Sequence, residues 1–135
     1  MTAVWLPGDL RAQILHQAAT AHPHECCGLI AGVRRAADFR VLALHPARNL
    51  AVDADRFDID PRDHLVASKA ARAAGHQIIG CYHSHPGGGA EPSARDLAGA
   101  GEENFLWLIA AGGNLAAFVY LCGGFVASDC RISSE

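Results

Sequence analysis

The sequence holds a single lysine, Lys69, and its 14 acidic residues outnumber its 11 basic ones. Nucleic-acid binding depends on clustered basic side chains that neutralise phosphates, so this balance argues against nucleic acid as a partner. No apolar run reaches the ~20 residues that a membrane-spanning helix needs, so we expect no membrane partner. The first residues also lack the basic start and apolar run of a secretory signal, which favours a cytoplasmic location.

The cysteines lack the spacing of a disulfide framework or a thiolate zinc site. Their number is odd, no C-x-x-C pair occurs, and we expect all of them to be reduced. Two of them are adjacent and would point to opposite faces of a strand, which argues against joint chelation. At least one of this pair is expected to be a small core residue, and a redox role for the other stays open. The five are Cys26, Cys27, Cys81, Cys122 and Cys130.

The chain has the length of one ordinary domain, and we expect residues 1–135 to form a single one. Strands are predicted over 4–6, 26–32, 39–45, 77–83, 105–111, 115–122 and 124–132. Helices are predicted from 7–9 to the region before Pro23, from Pro61 to about Ala74, and from Ser93 onward. Strands interleaved with about three helices predict an α/β fold, with a mixed, curved sheet that the helices flank.

The stretch "HSHPGGGAEPSARD", residues 83–96, contains the strongest candidate site. On an extended strand His83 and His85 project to the same side, with backbones roughly 6–7 Å apart. Zinc accepts histidine nitrogen and aspartate oxygen, and Asp96 is the best-placed third ligand. Each half also has an ordinary interpretation: Ser93-x-x-Asp96 is typical of a helix N-terminus, and His-x-His of a plain strand. The two interpretations are compatible, because a glycine-rich turn can bring the helix start back to the histidines.

Taken together, these residues resemble the signature of the JAMM (MPN+) zinc metalloproteases, also called the JAB1/MPN/Mov34 domain. The signature consists of an upstream glutamate, His-Ser-His-Pro, a serine separated from the second histidine by seven residues, and an aspartate after two more. The residues that match it are Glu25, His83, Ser84, His85, Pro86, Ser93 and Asp96. "PHECCGLIAG", Asn49 and "RFDIDP" extend the resemblance to short prokaryotic members over nearly the whole chain. It implies the JAB1/MPN fold, which is cytidine-deaminase-like.

The resemblance also implies a site and a reaction. His83, His85 and Asp96 would hold one catalytic zinc ion, and Glu25 would be the general acid/base that acts on the metal's water. Ser93 would donate a hydrogen bond to the oxyanion. The implied substrate is the peptide or isopeptide bond after the C-terminal Gly-Gly of a ubiquitin-like protein, which in bacteria is usually a sulfur carrier.

Other functions are weighed against this one. A catalytically inactive MPN scaffold would lack parts of the ligand set, whereas all five catalytic positions are present here. A RadC-like, DNA-associated branch has a similar spacing, but the Glu-Cys-Cys-Gly segment and the acidic balance point away from it. The Pro-Cys-x-x-Cys motif of zinc deaminases is absent.

Several neighbouring residues are expected to be structural. Ser84 should shape the loop instead of acting as a nucleophile, and Cys81 should pack in the core because it is too far from His85 to share a metal. The acidic stretch 53–63 lacks an EF-hand pattern and should be a solvated edge and helix start. Residues 46–56 are our candidate for a substrate-contacting segment. An exposed strand edge would support a homodimer.

Overall fold

The computed structural model describes residues 2–133 and contains seven strands and three helices over that range. The strands are β1 (Ala3–Pro7), β2 (Cys27–Arg35), β3 (Asp38–Ala47), β4 (Gln77–Ser84), β5 (Phe105–Ala111), β6 (Asn114–Leu121) and β7 (Gly124–Ser133). The helices are α1 (Gly8–Ala21), α2 (Pro61–Ala73) and α3 (Ala94–Gly99). Every predicted helix and strand is present, so the α/β prediction is confirmed. No helix in this range is long and apolar enough to span a membrane.

The sheet is mixed and curves until it closes, in the order β1-β3-β2-β4-β5-β6-β7, with β7 paired to β1. Strand β1 runs parallel to both of its neighbours, β3 and β7. Strands β4 and β5 are the other parallel pair, and the remaining pairs are antiparallel. Each of the seven described strands therefore has a partner on both sides. The exposed strand edge that would have supported a homodimer is not found in residues 2–133, and dimerisation stays a prediction without that argument.

The two faces of the sheet bury two separate apolar clusters. The larger cluster includes Ile14 of α1 and the fully buried Val4, Leu6, Ile79, Tyr82 and Leu108. The predicted apolar face of α1 is confirmed, because Leu10, Leu15 and Ala18 pack against the same cluster. The smaller cluster consists of Leu29, Ala67 of α2, Cys81 and Trp107. Helices α1 and α2 thus cover opposite faces.

A register break in β4 decides which face receives the histidines. The pairing with β2 goes from Ile30↔Gly80 to Ala31↔Ile78, so Ile79 is an extra residue in β4. In a strictly alternating strand, Ile79 and His83 would project to the same face. Because of the bulge, Ile79 joins the larger cluster while Cys81 joins the smaller one. His83 follows Cys81 by two residues and lies on the face that α2 covers.

Candidate metal centre

Three donor side chains meet where β4 ends and α3 begins. The Nε2 atoms of His83 and His85 are 3.0 Å apart, and each lies 3.1 Å from Oδ2 of Asp96. Their ligand atoms all lie within 4.8 Å of one another. His83 and Asp96 are buried, and His85 is partly exposed. The structure therefore brings together the three residues that the sequence singled out as metal ligands.

His85 is oriented by the glycine-rich turn. Its Nδ1–H donates to the carbonyl oxygen of Gly89 at 2.8 Å, which fixes the ring so that Nε2 faces His83 and Asp96. The backbone N–H of His85 also donates to Ala110 at the end of β5, which holds the residue after its own strand has ended. The hydrogen bond to Asp96 raises the pKa of His85 above its ordinary value. For His83, burial lowers the pKa.

Asp96 belongs both to the donor cluster and to the cap of α3. The backbone N–H of Ser93 donates to its Oδ2 at 2.9 Å, and the N–H of Asp96 donates to Ser93 Oγ at 3.0 Å. This is a capping box, which was one of the two interpretations that the sequence left open. Burial alone would raise the pKa of Asp96, but the hydrogen bonds from both histidines outweigh it and hold the pKa well below its usual range. The carboxylate is therefore available to a cation at any physiological pH.

Glu25 lines the same cleft as His85 and Ser93. The residue is 5 % exposed, and its Oε1 has no hydrogen-bond partner among the described residues. Burial raises the pKa of its carboxyl group from 4.5 to about 7. A buried carboxyl group with an unpaired oxygen and a pKa near neutrality has the properties of a general acid/base.

Ser93 is exposed in the cleft. Its Oγ accepts the backbone N–H of Asp96, so its own hydroxyl proton is not used by the cap. That proton can be donated to a substrate oxygen. The helix cap and the proposed oxyanion contact therefore use different parts of one hydroxyl group.

Ser84 has a structural role, in agreement with the prediction from the sequence. Its Oγ accepts the backbone N–H of Cys26 at 2.8 Å, and its own N–H donates to the Cys26 carbonyl at 3.2 Å. These bonds join the end of β4 to the residue next to Glu25. Ser84 thereby fixes the spacing between the strand that carries His83 and the segment that carries Glu25, a role that no local pattern in the sequence could show.

The cysteines stay outside the donor cluster. All five are free thiols, and Cys81 is buried in the smaller cluster as predicted. Burial raises the pKa of Cys26, and it raises the pKa of Cys27 to about 12. A buried thiol with a raised pKa forms little thiolate, so neither residue of the pair has the surroundings of a redox cysteine.

Two further residues contact the site in ways that the sequence did not predict. Phe57 stacks on the ring of His83, with ring centroids 4.3 Å apart. Asn49 donates its side-chain N–H to the carbonyl oxygen of Glu25 at 3.0 Å. The sequence showed both residues only as part of a family resemblance, because each contact joins segments more than twenty residues apart.

The donor set fits a zinc ion. Zinc prefers three protein ligands of the histidine and carboxylate type in catalytic sites, and here two imidazole nitrogens and one carboxylate oxygen converge. His85 Nδ1 has the backbone carbonyl partner that metal-bound histidines usually have.

The fold brings two histidines and an aspartate together, with a buried glutamate in the cleft that one of these histidines lines, and metal-dependent hydrolases use this kind of arrangement. The chain belongs to the prokaryotic homologs of the JAB domain, because the model of that family matches residues 7–121. It is 35% identical over 109 residues to a desampylase of Haloferax volcanii, which covers 77% of each chain. It is also 35% identical over 75 residues to a histone deubiquitinase of Branchiostoma floridae, which covers 54% of this chain and 9% of that protein. A solution structure of a protein from Desulfitobacterium hafniense superposes with a TM-score of 0.88 at 29% identity, over 100% of this chain and 94% of that one. These relatives support a hydrolase of the JAMM type.

Proposed function

We propose that residues 1–135 form one catalytic domain, a zinc-dependent peptidase or isopeptidase. Its substrate is a ubiquitin-like or sulfur-carrier protein, and it hydrolyses the peptide or isopeptide bond after the C-terminal Gly-Gly. The observation that carries this proposal is the convergence of His83, His85 and Asp96, together with the cleft that both His85 and Glu25 line. A catalytically inactive scaffold would not require all three metal donors together with the buried carboxyl group of Glu25.

His83, His85 and Asp96 would hold the zinc ion. When bound, zinc would supply a Lewis acid that lowers the pKa of water and polarises a carbonyl group.

Glu25 supplies proton transfer in this mechanism. Its carboxylate, whose pKa is raised by burial, takes a proton from the attacking water and then delivers that proton to the departing amine. Ser93 donates its hydroxyl hydrogen to the carbonyl oxygen as negative charge develops there, and such donors typically contribute on the order of 3 kcal/mol.

The substrate class is supported by the relatives and by the shape of the cleft. One relative is named a desampylase and another a deubiquitinase. The lining of the cleft includes the turn Gly87, Gly88 and Gly89 as well as Ala54 and Asp55. Small residues in this lining leave room for an extended tail. Ala54 and Asp55 lie within residues 46–56, our candidate for the substrate-contacting segment.

The proposal is tested by incubating the zinc-loaded protein with sulfur carriers and ubiquitin-like proteins that bear C-terminal extensions. Mass spectrometry should detect a new Gly-Gly end, and a chelator should abolish its appearance until zinc is restored. Glu25→Gln should bind one zinc ion per chain and lose about 100-fold or more of the cleavage rate, because proton transfer is removed. Glu102→Gln, at an exposed glutamate outside this cleft, is the matched control.

Two results would contradict the proposal separately. Full turnover by Glu25→Gln would refute the role of Glu25. If the zinc-loaded protein cleaves none of the carriers, the substrate class is wrong, and other amide substrates must be tried.

A further inference from the structure

The ring of His83 is held differently from that of His85. His83 is fully buried, and its Nδ1 has no hydrogen-bond partner among residues 2–133. His85, by contrast, donates its Nδ1–H to a carbonyl oxygen. Metal-bound histidines usually rely on such a bond to fix the orientation of the ring. Some other contact must fix the plane of the His83 imidazole.

Two aromatic rings supply the contacts that fix the plane of the His83 imidazole. Phe57 stacks on His83 with ring centroids 4.3 Å apart and an angle of 22° between the planes. Trp107 meets the edge of the same imidazole, at 5.7 Å and 88°. Phe57 and Trp107 also contact each other, at 6.0 Å and 71°. A stacked ring on one side and a perpendicular ring beside it leave the imidazole little freedom to rotate.

The position of Phe57 depends on the side chain of Asn49. The Nδ2 group of Asn49 donates to the carbonyl of Arg56 at 3.2 Å, and its Oδ1 accepts the N–H of Asp58 at 2.9 Å. One amide thus binds the peptide groups immediately before and after Phe57. A backbone bond from Leu50 N–H to the Asp58 carbonyl, at 2.8 Å, closes the same segment.

The same amide reaches the proposed acid/base. Asn49 Nδ2 donates to the carbonyl oxygen of Glu25 at 3.0 Å. The backbone that bears Glu25 and the backbone that bears Phe57 are therefore attached to one side chain. Movement of Asn49 would displace both segments. Displacement of Phe57 would in turn remove the ring that stacks on His83.

We propose that Asn49 and Phe57 are positioning residues of the metal centre, in which Phe57 fixes the imidazole of His83 and Asn49 holds Phe57 and Glu25 in register. The role of Phe57 is exerted on a metal ligand and can be measured as metal affinity without a substrate. Only the effect on turnover rests on the proposed function.

The first test compares zinc affinities by competition with a chromophoric chelator. Phe57→Leu, which keeps an apolar side chain but removes the stacked ring, should weaken zinc binding about 10-fold or more. Phe57→Tyr keeps the ring and should stay within about 3-fold of the wild type. The matched control is Phe118→Leu, because Phe118 is a half-buried phenylalanine packed against the same cluster with no described contact to His83. Wild-type affinity in Phe57→Leu, or an equal loss in Phe118→Leu, would overturn the proposal.

The second test addresses Asn49. Asn49→Asp keeps the acceptor oxygen but loses the two N–H donations, to Arg56 and to Glu25. It should lower zinc affinity as Phe57→Leu does, and lower kcat more than it raises KM, since the acid/base is displaced as well. Asn114→Asp, at an exposed asparagine in β6, is the control. Unchanged zinc affinity in Asn49→Asp would refute the link between Asn49 and His83. Failure of the cleavage assay alone, with zinc affinity reduced as expected, would instead count against the proposed substrate.

Discussion

At the scale of single residues, Glu25 combines burial with an oxygen atom that no described group contacts. Burial raises its pKa from 4.5 to about 7, so between these pH values the unfolded chain releases a proton that the folded protein keeps. The stability that the protonated carboxyl provides is therefore lost as the pH rises from about 4.5 to 7. Near pH 7 both protonation states of Glu25 are populated, as the proposed proton transfer requires.

Glu25→Gln should remove this pH dependence in the metal-free protein. At pH 8 the variant should exceed the wild type in free energy of unfolding by on the order of 1–3 kcal/mol, whereas at pH 4 the two should agree. Urea unfolding in the presence of a chelator measures both values. The control variant Glu102→Gln should show no such divergence, since Glu102 is exposed. Equal stability of Glu25→Gln and wild type at pH 8 would show that burial does not perturb this carboxyl group.

The sequence was sufficient to single out the candidate metal ligands, but not the residues that hold them in position. His83, His85, Ser93 and Asp96 lie within fourteen residues, and their spacing expresses strand alternation and helix capping, which are local rules. Phe57 contacts His83 across 26 positions of the chain, and Asn49 contacts Glu25 across 24. Such contacts depend on where the sheet places separate segments, and no periodicity encodes them.

At the scale of elements, α3 is a six-residue helix whose first turn carries Asp96 of the donor cluster. An isolated helix of this length would be unstable in water, so its capping box and the burial of Asp96 hold it in place. The two residues of that box also supply the carboxylate of the donor cluster, from Asp96, and a hydroxyl group in the cleft, from Ser93. Capping of the helix by Ser93 and Asp96 is thus compatible with their proposed roles at the metal centre, as the sequence indicated.

The bulge at Ile79 in β4 could not be predicted from the alternation of side chains along a strand.

The next residue, Gly80, lies close to β5. A Cβ atom there would lie 2.2 Å from the carbonyl oxygen of Leu106, so only glycine permits the two strands to approach this closely. Gly80→Ala should destabilise the protein by about 1–3 kcal/mol and weaken zinc binding, because β4 would shift relative to β5 three residues before His83. Chemical denaturation and chelator competition measure the two effects.

Gly99→Ala is the control for that substitution. No atom lies within 4 Å of a Cβ added at Gly99, and alanine is favoured over glycine in a helix. Its stability should equal or exceed that of the wild type. If Gly80→Ala behaved in the same way, the close approach of β4 and β5 would not constrain the site.

At the scale of the whole molecule, closure of the sheet was not predictable from the sequence. It rests on parallel pairing of β1 with β7, which joins Ala3 to Asp129 and Pro7 to Ser133. Both strands were predicted, but their partnership spans almost the full chain. Closure buries Val4 and Leu6 completely, and the donor side chains meet at the end of β4.

The completed fold should be stabilised by zinc, because the three ligands come together only in the folded chain. With free zinc at 100 times the dissociation constant, the free energy of unfolding should rise by about 2.7 kcal/mol, and Tm by roughly 10 °C. Asp96→Asn removes the anionic ligand while keeping an acceptor for the Ser93 N–H, so most of this gain should disappear. Asp129→Asn, at an exposed aspartate in β7, should retain it. Thermal unfolding with zinc and with chelator gives the difference for each protein. A zinc-dependent gain in Asp96→Asn as large as that of the wild type would place the metal elsewhere in the molecule.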